Sequence, residues 1–200
     1  MTINLKKITI LTVIGLTLMS FTAAITAQTD FTILASKSNV KWTGYKPGGQ
    51  HKGTVDVKSG SFAMDGDIIQ SGSVVIDMTS LKVTDSESQK LYNHLRGEDF
   101  FNVKEFKTST LVIKSSKSVN ADSNGKHTLE ITGDMTILGK TQPITFKAVN
   151  TAKTDNYMFY STNLSIDRTK FGITYKSSML GDAMINDDFD LAIKLIAKKN

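Results

Sequence analysis

Apolar and polar residues take turns along this chain, and that alternation limits what it can become. Between His127 and Leu138, the apolar residues Leu129, Ile131, Met135 and Ile137 are separated by Glu130, Thr132, Asp134 and Thr136. Near the end, Phe189, Leu191, Ile193 and Leu195 are separated by Asp190, Ala192 and Lys194. A period of two points successive side chains to opposite faces of a strand, so each stretch has one buried and one wetted face. Weaker versions recur at 40–45, 54–64, 73–78, 106–114, 144–149 and 159–166. Turn formers separate them: Pro47-Gly48-Gly49, Asp65-Gly66-Asp67, Ser71-Gly72, Asp122-Ser123-Asn124-Gly125 and Thr154-Asp155-Asn156. About eight antiparallel strands in one unit must hide their edges, which a closed barrel does fully and a sandwich does partly. Pro47 and Pro143, the only prolines, fall outside the expected strand interiors.

One stretch departs from this rhythm. Thr84…Glu87 and Ser86…Gln89 form overlapping capping boxes, Leu91 and Leu95 lie four apart on one helical face, and Gly97 is placed to end the helix. A helix of about three turns near 86–96 follows, inserted between strands and lying over the sheet or a barrel mouth. Phe100-Phe101 come directly after it, and at least one of these adjacent aromatics is expected to plug an opening.

The first residues read as a secretory signal over 1–27. Lys6 and Lys7 precede an apolar run from Ile8 to Phe21, and Ala23-Ala24-Ile25-Thr26-Ala27 offers cleavage after Ala27 or Ala24. The run is shorter than the about 20 residues of a comfortable membrane span. Export places the protein in the periplasm or outside the cell. Residues 28–200 then form one domain, and with no Cys the fold depends on its core, not on disulfides. The net charge of +5 drops to +3 when Lys6 and Lys7 leave. The remaining lysines are scattered, without the basic stripe and interleaved aromatics of a nucleic-acid surface.

Catalytic signals are lacking. Gly133…Gly139-Lys140-Thr141 resembles a phosphate-binding loop, but five residues separate the glycines where the motif has four, and no helix follows. His51, His94 and His127 are far apart, with no metal-ligand spacing. There is no Gly-x-Ser-x-Gly elbow. Asp182, Asp187, Asp188 and Asp190 lack calcium-loop spacing and read as a solvated loop. In Asp167-Arg168, an inward Arg must find a partner, with Asp99 or Asp182 as candidates, and acts as a brace at one end of the barrel.

Three phrases carry a resemblance: His94-Leu95-Arg96-Gly97-Glu98-Asp99-Phe100-Phe101-Asn102-Val103, then Gly133-Asp134-Met135-Thr136-Ile137-Leu138-Gly139-Lys140-Thr141-Gln142-Pro143-Ile144, then Ile166-Asp167-Arg168-Thr169-Lys170-Phe171-Gly172-Ile173. Ser38–Gly44, Gly53-Thr54-Val55, Ser59–Phe62, Ile76–Leu81 and Gly181-Asp182 extend it over nearly the whole mature chain. In this order the phrases resemble the YceI-like family of exported polyisoprenoid- and lipid-binding proteins. The resemblance implies a mainly β fold, an antiparallel lipocalin-like β-barrel of about eight strands with one short inserted helix. It implies a carrier or store for a polyisoprenoid or other long-chain amphiphile, and no catalytic residues. The loop Lys46–His51 is more polar than in many members, which bears on entrance chemistry.

The inward sets then name the candidate lining: Val40, Trp42, Ile76, Met78, Met135, Ile137, Phe146, Leu164 and Ile166, with Leu91, Leu95 and Phe101 at the lid. For each, ordinary core packing is the competing role. His94 and Arg168 are the candidates for headgroup contact or bracing. The expected ligand is a long-chain lipid or isoprenoid quinone-like molecule, with no cofactor, metal or nucleic acid. Transient membrane contact and a homodimer are compatible with the sequence. A ligand-free structural or stress-linked interaction protein of the cell envelope is the alternative function.

Overall fold

The strands form where the alternation runs. In the computed structural model, which describes residues 28–177 and 184–200, they are β1 (Thr29–Ile33), β2 (Asn39–Lys46), β3 (Gly49–Asp65), β4 (Ile68–Val83), β5 (Thr108–Val119), β6 (Thr128–Ile137), β7 (Lys140–Lys153), β8 (Tyr157–Asp167) and β9 (Asp188–Lys199). One helix, α1 (Gln89–Arg96), joins β4 to β5. The expected signal segment and the Gly181-Asp182 phrase lie outside the described residues.

Every pairing is antiparallel, and the ladder closes on itself as β2-β9-β8-β7-β6-β5-β4-β3 and back to β2. β1 and β2 share one position in that ring. β1 lies between the far end of β3 and the end of β9, with Phe31 opposite Phe62 and Ile33 opposite Ala197. β2 lies between the start of both, with Val40 opposite Val55 and Trp42 opposite Leu191. A 3-10 turn at Ala35–Lys37 interrupts them. Ser38 bridges the break, its Oγ donating to the Leu34 carbonyl at 2.9 Å and accepting from the Ile196 N–H at 3.2 Å. The result is a closed antiparallel barrel of eight strand positions with one short helix, the architecture the patterning and the resemblance imply.

The hairpin between β6 and β7 shows why strand ends fall where they do. Ile137 pairs with Lys140 across a two-residue turn, and both turn residues, Leu138 and Gly139, have positive φ (52° and 69°). That geometry matches the twist of the flanking strands. The segment is a hairpin turn, not a phosphate cradle.

Several local expectations are corrected. β1 is an addition; Phe31 and Ile33 do alternate with Asp30 and Thr32, but over only five residues. Ser71-Gly72 is not a turn but lies inside β4, with Gly72 opposite Phe62 and Ile113. Pro143 sits within β7, opposite Asp134. α1 is shorter than 86–96, because its N-cap is Ser88, whose Oγ accepts from the Leu91 N–H at 3.2 Å, and not Thr84 or Ser86. Gly97 caps its other end as expected, donating to the His94 carbonyl at 3.1 Å.

The interior divides into two ends. One is a packed floor. Phe31 stacks on Phe62 with centroids 5.3 Å apart, and Tyr160 meets Phe62 edge-on at 5.9 Å. Met64, Met158, Ile69 and Leu129 fill the space around them. Burial pushes the Tyr160 phenol well above its ordinary pKa, and its nearest polar contact is the Met64 sulfur at 4.0 Å. At the other end Phe100, Phe171 and Ile173 pack with Met135, Ile137 and Ile166 into a second cluster over the mouth.

Trp42 fixes how the wall is built between these ends. Its indole lies flat on Gly53, its strand partner, so a Cβ added there would stand 2.4 Å from the ring and 1.8 Å from the Lys82 carbonyl. Gly44, two residues after Trp42 in β2, has nothing within 4 Å of such a Cβ. Gly53→Ala is therefore expected to cost about 1–3 kcal/mol through overpacking, whereas Gly44→Ala should stay within about 0.5 kcal/mol of wild type. Urea unfolding of both variants checks this, and equal stability would contradict the close approach.

Candidate functional site

Between the floor and the second cluster lies a cavity of about 180 Å³. Its walls are the inward residues of the barrel strands. Val40 and Trp42 come from β2, Val55 from β3, and Val74, Ile76, Met78 and Leu81 from β4. Leu111 comes from β5, Met135 and Ile137 from β6, Phe146 from β7, and Leu191, Ile193 and Leu195 from β9. Leu95 of α1, Phe100, Phe101, Ile173 and Ile185 close over it.

Of the sequence candidates, Val40, Trp42, Ile76, Met78, Leu95, Phe101, Met135, Ile137 and Phe146 line this space. Three do not. Leu164 and Ile166 point inward but are consumed by the second cluster. Leu91 is on α1 one turn before Leu95, where the helix no longer overlies the cavity. Val55, Val74, Leu81, Leu111, Leu191, Ile193 and Leu195 also line it although they were not among the lining candidates, and so does Phe100, one of the two aromatics expected to plug an opening. The β9 residues among them lay on an alternation that was plain in the sequence. Phe100 and Phe101 both serve the mouth: Phe100 packs against Tyr175, 5.7 Å away, and Phe101 meets Phe189 edge-on at 6.3 Å.

His94 is not in the cavity. Its Nε2 is 3.1 Å from Asp99 Oδ2, and its ring stands edge-on to Phe100 at 5.0 Å and to Tyr175 at 4.6 Å. It pins α1 to the loop beyond β8. Arg96 secures the same helix, its Nη1 donating to the Thr79 carbonyl at 2.8 Å.

Arg168 turns its guanidinium to backbone carbonyls at the mouth. Only 3% exposed, it does not reach Asp99, and Asp182 lies outside the described residues. Its Nε donates to the Asn186 carbonyl at 2.9 Å, Nη1 to that of Ile173 at 2.7 Å and Nη2 to that of Ile185 at 2.8 Å. Asp187 Oδ1, on a half-exposed side chain, adds a longer contact at 3.3 Å. Burial lowers the pKa of the guanidinium, and Asp187 and Asp167 oppose that shift. Three backbone carbonyls from two chain segments thus converge on one planar fork, which fixes the rim of the mouth.

The polar groups of the site gather at that rim. Tyr45 donates its hydroxyl to Asp190 Oδ2 at 2.6 Å, a bond that raises the phenol's pKa. Asn186 and Asp188 complete the edge. Deeper in, the walls are hydrocarbon apart from Ser109, Thr110 and Thr162. The buried Trp42 indole N–H has no hydrogen-bond partner among the described residues. No group of three or more His, Cys, Asp or Glu side chains is placed to hold a metal among those residues. The arrangement can hold an apolar chain against the walls and leave a polar end at the rim.

Comparison with known proteins agrees with this geometry. The YceI-like domain model matches residues 31–197. A UPF0312 protein of Vibrio parahaemolyticus is 38% identical over 99 residues, 48% of this chain and 48% of that protein. One from Pseudomonas putida is 29% identical over 96 residues, 48% of this chain and 47% of its own length. The chain spans about half the length of the curated relatives it matches. Among solved structures, BcnA of Burkholderia cenocepacia superposes with a TM-score of 0.61 at 21% identity, covering 82% of this chain and 98% of BcnA. A polyisoprenoid binding domain from Saccharophagus degradans, implicated in plant cell wall breakdown, superposes with a TM-score of 0.62 at 10% identity, covering 85% and 98%. At these identities the two structures are likenesses of fold.

The brace generates a prediction. Arg168→Met should lower the unfolding free energy by about 3 kcal/mol, since it strands carbonyls bonded to a charged group. Arg168→Lys should recover little of it, because an ammonium cannot meet three carbonyls arranged around a planar fork. Asp187→Asn should stay within about 1 kcal/mol of wild type, as expected of an exposed pair. Chemical denaturation measures all three, and a Lys variant as stable as wild type would remove the fork from the account.

Proposed function

Because this chain belongs to the YceI-like domain family, we propose that it is an exported binding protein that holds a polyisoprenoid or other long-chain amphiphile in its barrel, as carrier or store and not as an enzyme. The observation that carries this is the hydrocarbon-walled cavity left between a filled floor and a braced mouth. A ligand-free interaction protein has no use for that space, and packing it would add stability. The fold shared with a polyisoprenoid binding domain adds support. Each CH₂ buried contributes about 0.8 kcal/mol, so chain length and shape set affinity, and the few polar groups at the rim orient the head. Arg168 donates to three carbonyls and a carboxylate, and Tyr45 donates to Asp190. The rim therefore suits an uncharged head, such as a quinone-like ring or an alcohol, better than a diphosphate. Residues 1–27, read as a signal, place the carrier in the periplasm or outside the cell.

Organic extraction and mass spectrometry of protein purified from its native compartment tests this reading, with a stoichiometric long-chain lipid as the expected result. Ile76→Trp supplies the mutational counterpart. Ile76 is half-buried and borders the cavity, so an indole there occupies the ligand's space. After delipidation, which removes the stabilisation that bound ligand provides, the variant should melt close to wild type yet fail to bind the extracted lipid. Val112→Trp, on a side chain 49% exposed on the outer face of β5, should bind normally. Protein that is reproducibly empty, or an Ile76→Trp variant that binds as well as wild type, would defeat the proposal.

A further inference from the structure

The barrel wall is discontinuous between β7 and β8. β7 pairs with β6 along ten residues, from Lys140 to Val149. On its other side it pairs with β8 only from Val149 to Lys153, opposite Ser161 to Met158. Beyond that point, residues 140–148 of β7 and 162–167 of β8 share no ladder. β8 meanwhile pairs with β9 over its full length. The gap runs from mid-barrel to the mouth, and it is crossed by two side-chain hydrogen bonds. Thr162 Oγ1 donates to the Lys147 carbonyl at 2.6 Å, and Gln142 Nε2 donates to the Lys170 carbonyl at 3.0 Å.

Parity shows which backbone groups face this seam. The Asn150 N–H bonds to His127, on the β6 side, while the Lys147 carbonyl faces β8. Odd-numbered residues of β7 therefore turn their backbone groups toward the seam, since residues along an antiparallel strand alternate in direction. Thr141, Pro143, Thr145 and Lys147 are those residues, and all four are exposed. Pro143 has no N–H to offer there. Proline on an unpaired strand edge blocks the addition of another strand, so this edge is unsuited to a peptide partner. Thr162 and Phe146, which flank the seam, both line the cavity. The seam thus adjoins the interior, closed there by side chains and not by backbone pairs.

Size gives the slot a use. The cavity of about 180 Å³ is smaller than the ~300–1,000 Å³ of pockets that enclose a drug-sized ligand. The floor is filled, and the second cluster covers the mouth. We propose that the β7–β8 seam is a lateral extension of the binding site, through which a hydrocarbon chain longer than the cavity passes between the strands. This rests on the cavity being a lipid site. It assigns the seam to chain length: short isoprenoids fit within the cavity, and long ones need the seam open.

The chain has no Cys, so a disulfide can be introduced cleanly. Extending the β7–β8 register past Val149 and Ser161 brings Lys147 opposite Asn163, both exposed and neither lining the cavity. Oxidation of Lys147→Cys/Asn163→Cys draws their Cα atoms to the roughly 4.4–6.8 Å of a disulfide and shuts the slot. The oxidised variant should bind geraniol as the reduced one does, but bind geranylgeraniol about tenfold or more weakly, with recovery on reduction. Lys117→Cys/Glu130→Cys, across a ladder that is already bonded, should discriminate neither probe in either state. Equal geranylgeraniol binding by oxidised and reduced seam variants, or the same loss in the control pair, overturns the seam. Failure of wild type to bind either probe overturns the cavity reading and the seam with it. Hydrogen exchange of the unmodified protein is independent of any variant. The Thr145 and Lys147 amides should exchange faster than those of Phe146 and Ala148 and slow when geranylgeraniol is bound. Equal protection without a ligand effect would also overturn the proposal.

Discussion

The interior exists because the two ends of the described chain pair with one another. β2 and β9 lie side by side, with Val40 opposite Ile193 and Trp42 opposite Leu191, and this contact turns a sheet into a ring. Without it, β2 and β9 would each present an open edge, and the apolar faces of eight strand positions would face water. With it, the period-two pattern becomes a statement about inside and outside. A slip of one residue by β2 against β9, which β8 holds in place, would turn Val40 and Trp42 outward together. The register is therefore held by the hydrophobic cost of every alternative.

Closure alone leaves open whether the interior is full. That is decided by where the large side chains fall. Phe31, Phe62 and Tyr160 meet at one end, with Met64 and Met158 filling the irregular gaps between rings, a role suited to an unbranched side chain. Toward the middle most inward residues are Val, Leu, Ile and Met, with Trp42 and Phe146 the rings among them, and space remains. The mouth is then covered by residues from outside the strands, Phe100, Phe101, Phe171 and Ile173, and made rigid by Arg168. Filled floor, hollow middle and braced rim are three consequences of side-chain volume along one set of alternating strands.

Much of this was legible in the sequence. The alternation at 127–138 and 189–195 marked two strands, and the glycine turns marked most hairpins. Seven of the named lining candidates face the cavity from strands for the same reason, since parity and hydrophobicity are local properties, and Leu95 and Phe101 join them from the helix and the loop after it. What was not legible depends on distant partners. β1 has a weak pattern and exists because β3 and β9 offer it two edges. Gly72 reads as a turn residue but is required by the close approach of Phe62 within a long bent strand. Leu164 and Ile166 carry the right parity, yet their depth relative to Phe171 and Ile173 decides that they pack instead of lining. The partners of Arg168 are backbone carbonyls, which no residue type announces. His94 reads as a site residue, and its aromatic neighbour Tyr175 is remote in the chain.

The brace at Arg168 has a consequence for the conditions under which the mouth keeps its form. Rims built from carboxylate–amine pairs loosen in acid, when the carboxylates take up protons. Here the principal acceptors are the amide oxygens of Ile173, Ile185 and Asn186, which do not titrate, and the donor is a guanidinium, which keeps its proton at physiological pH. The one titratable member, Asp187, is half exposed and makes the longest contact. Acid strong enough to protonate Asp187 would therefore remove only the longest contact of the brace and leave its three carbonyl bonds in place.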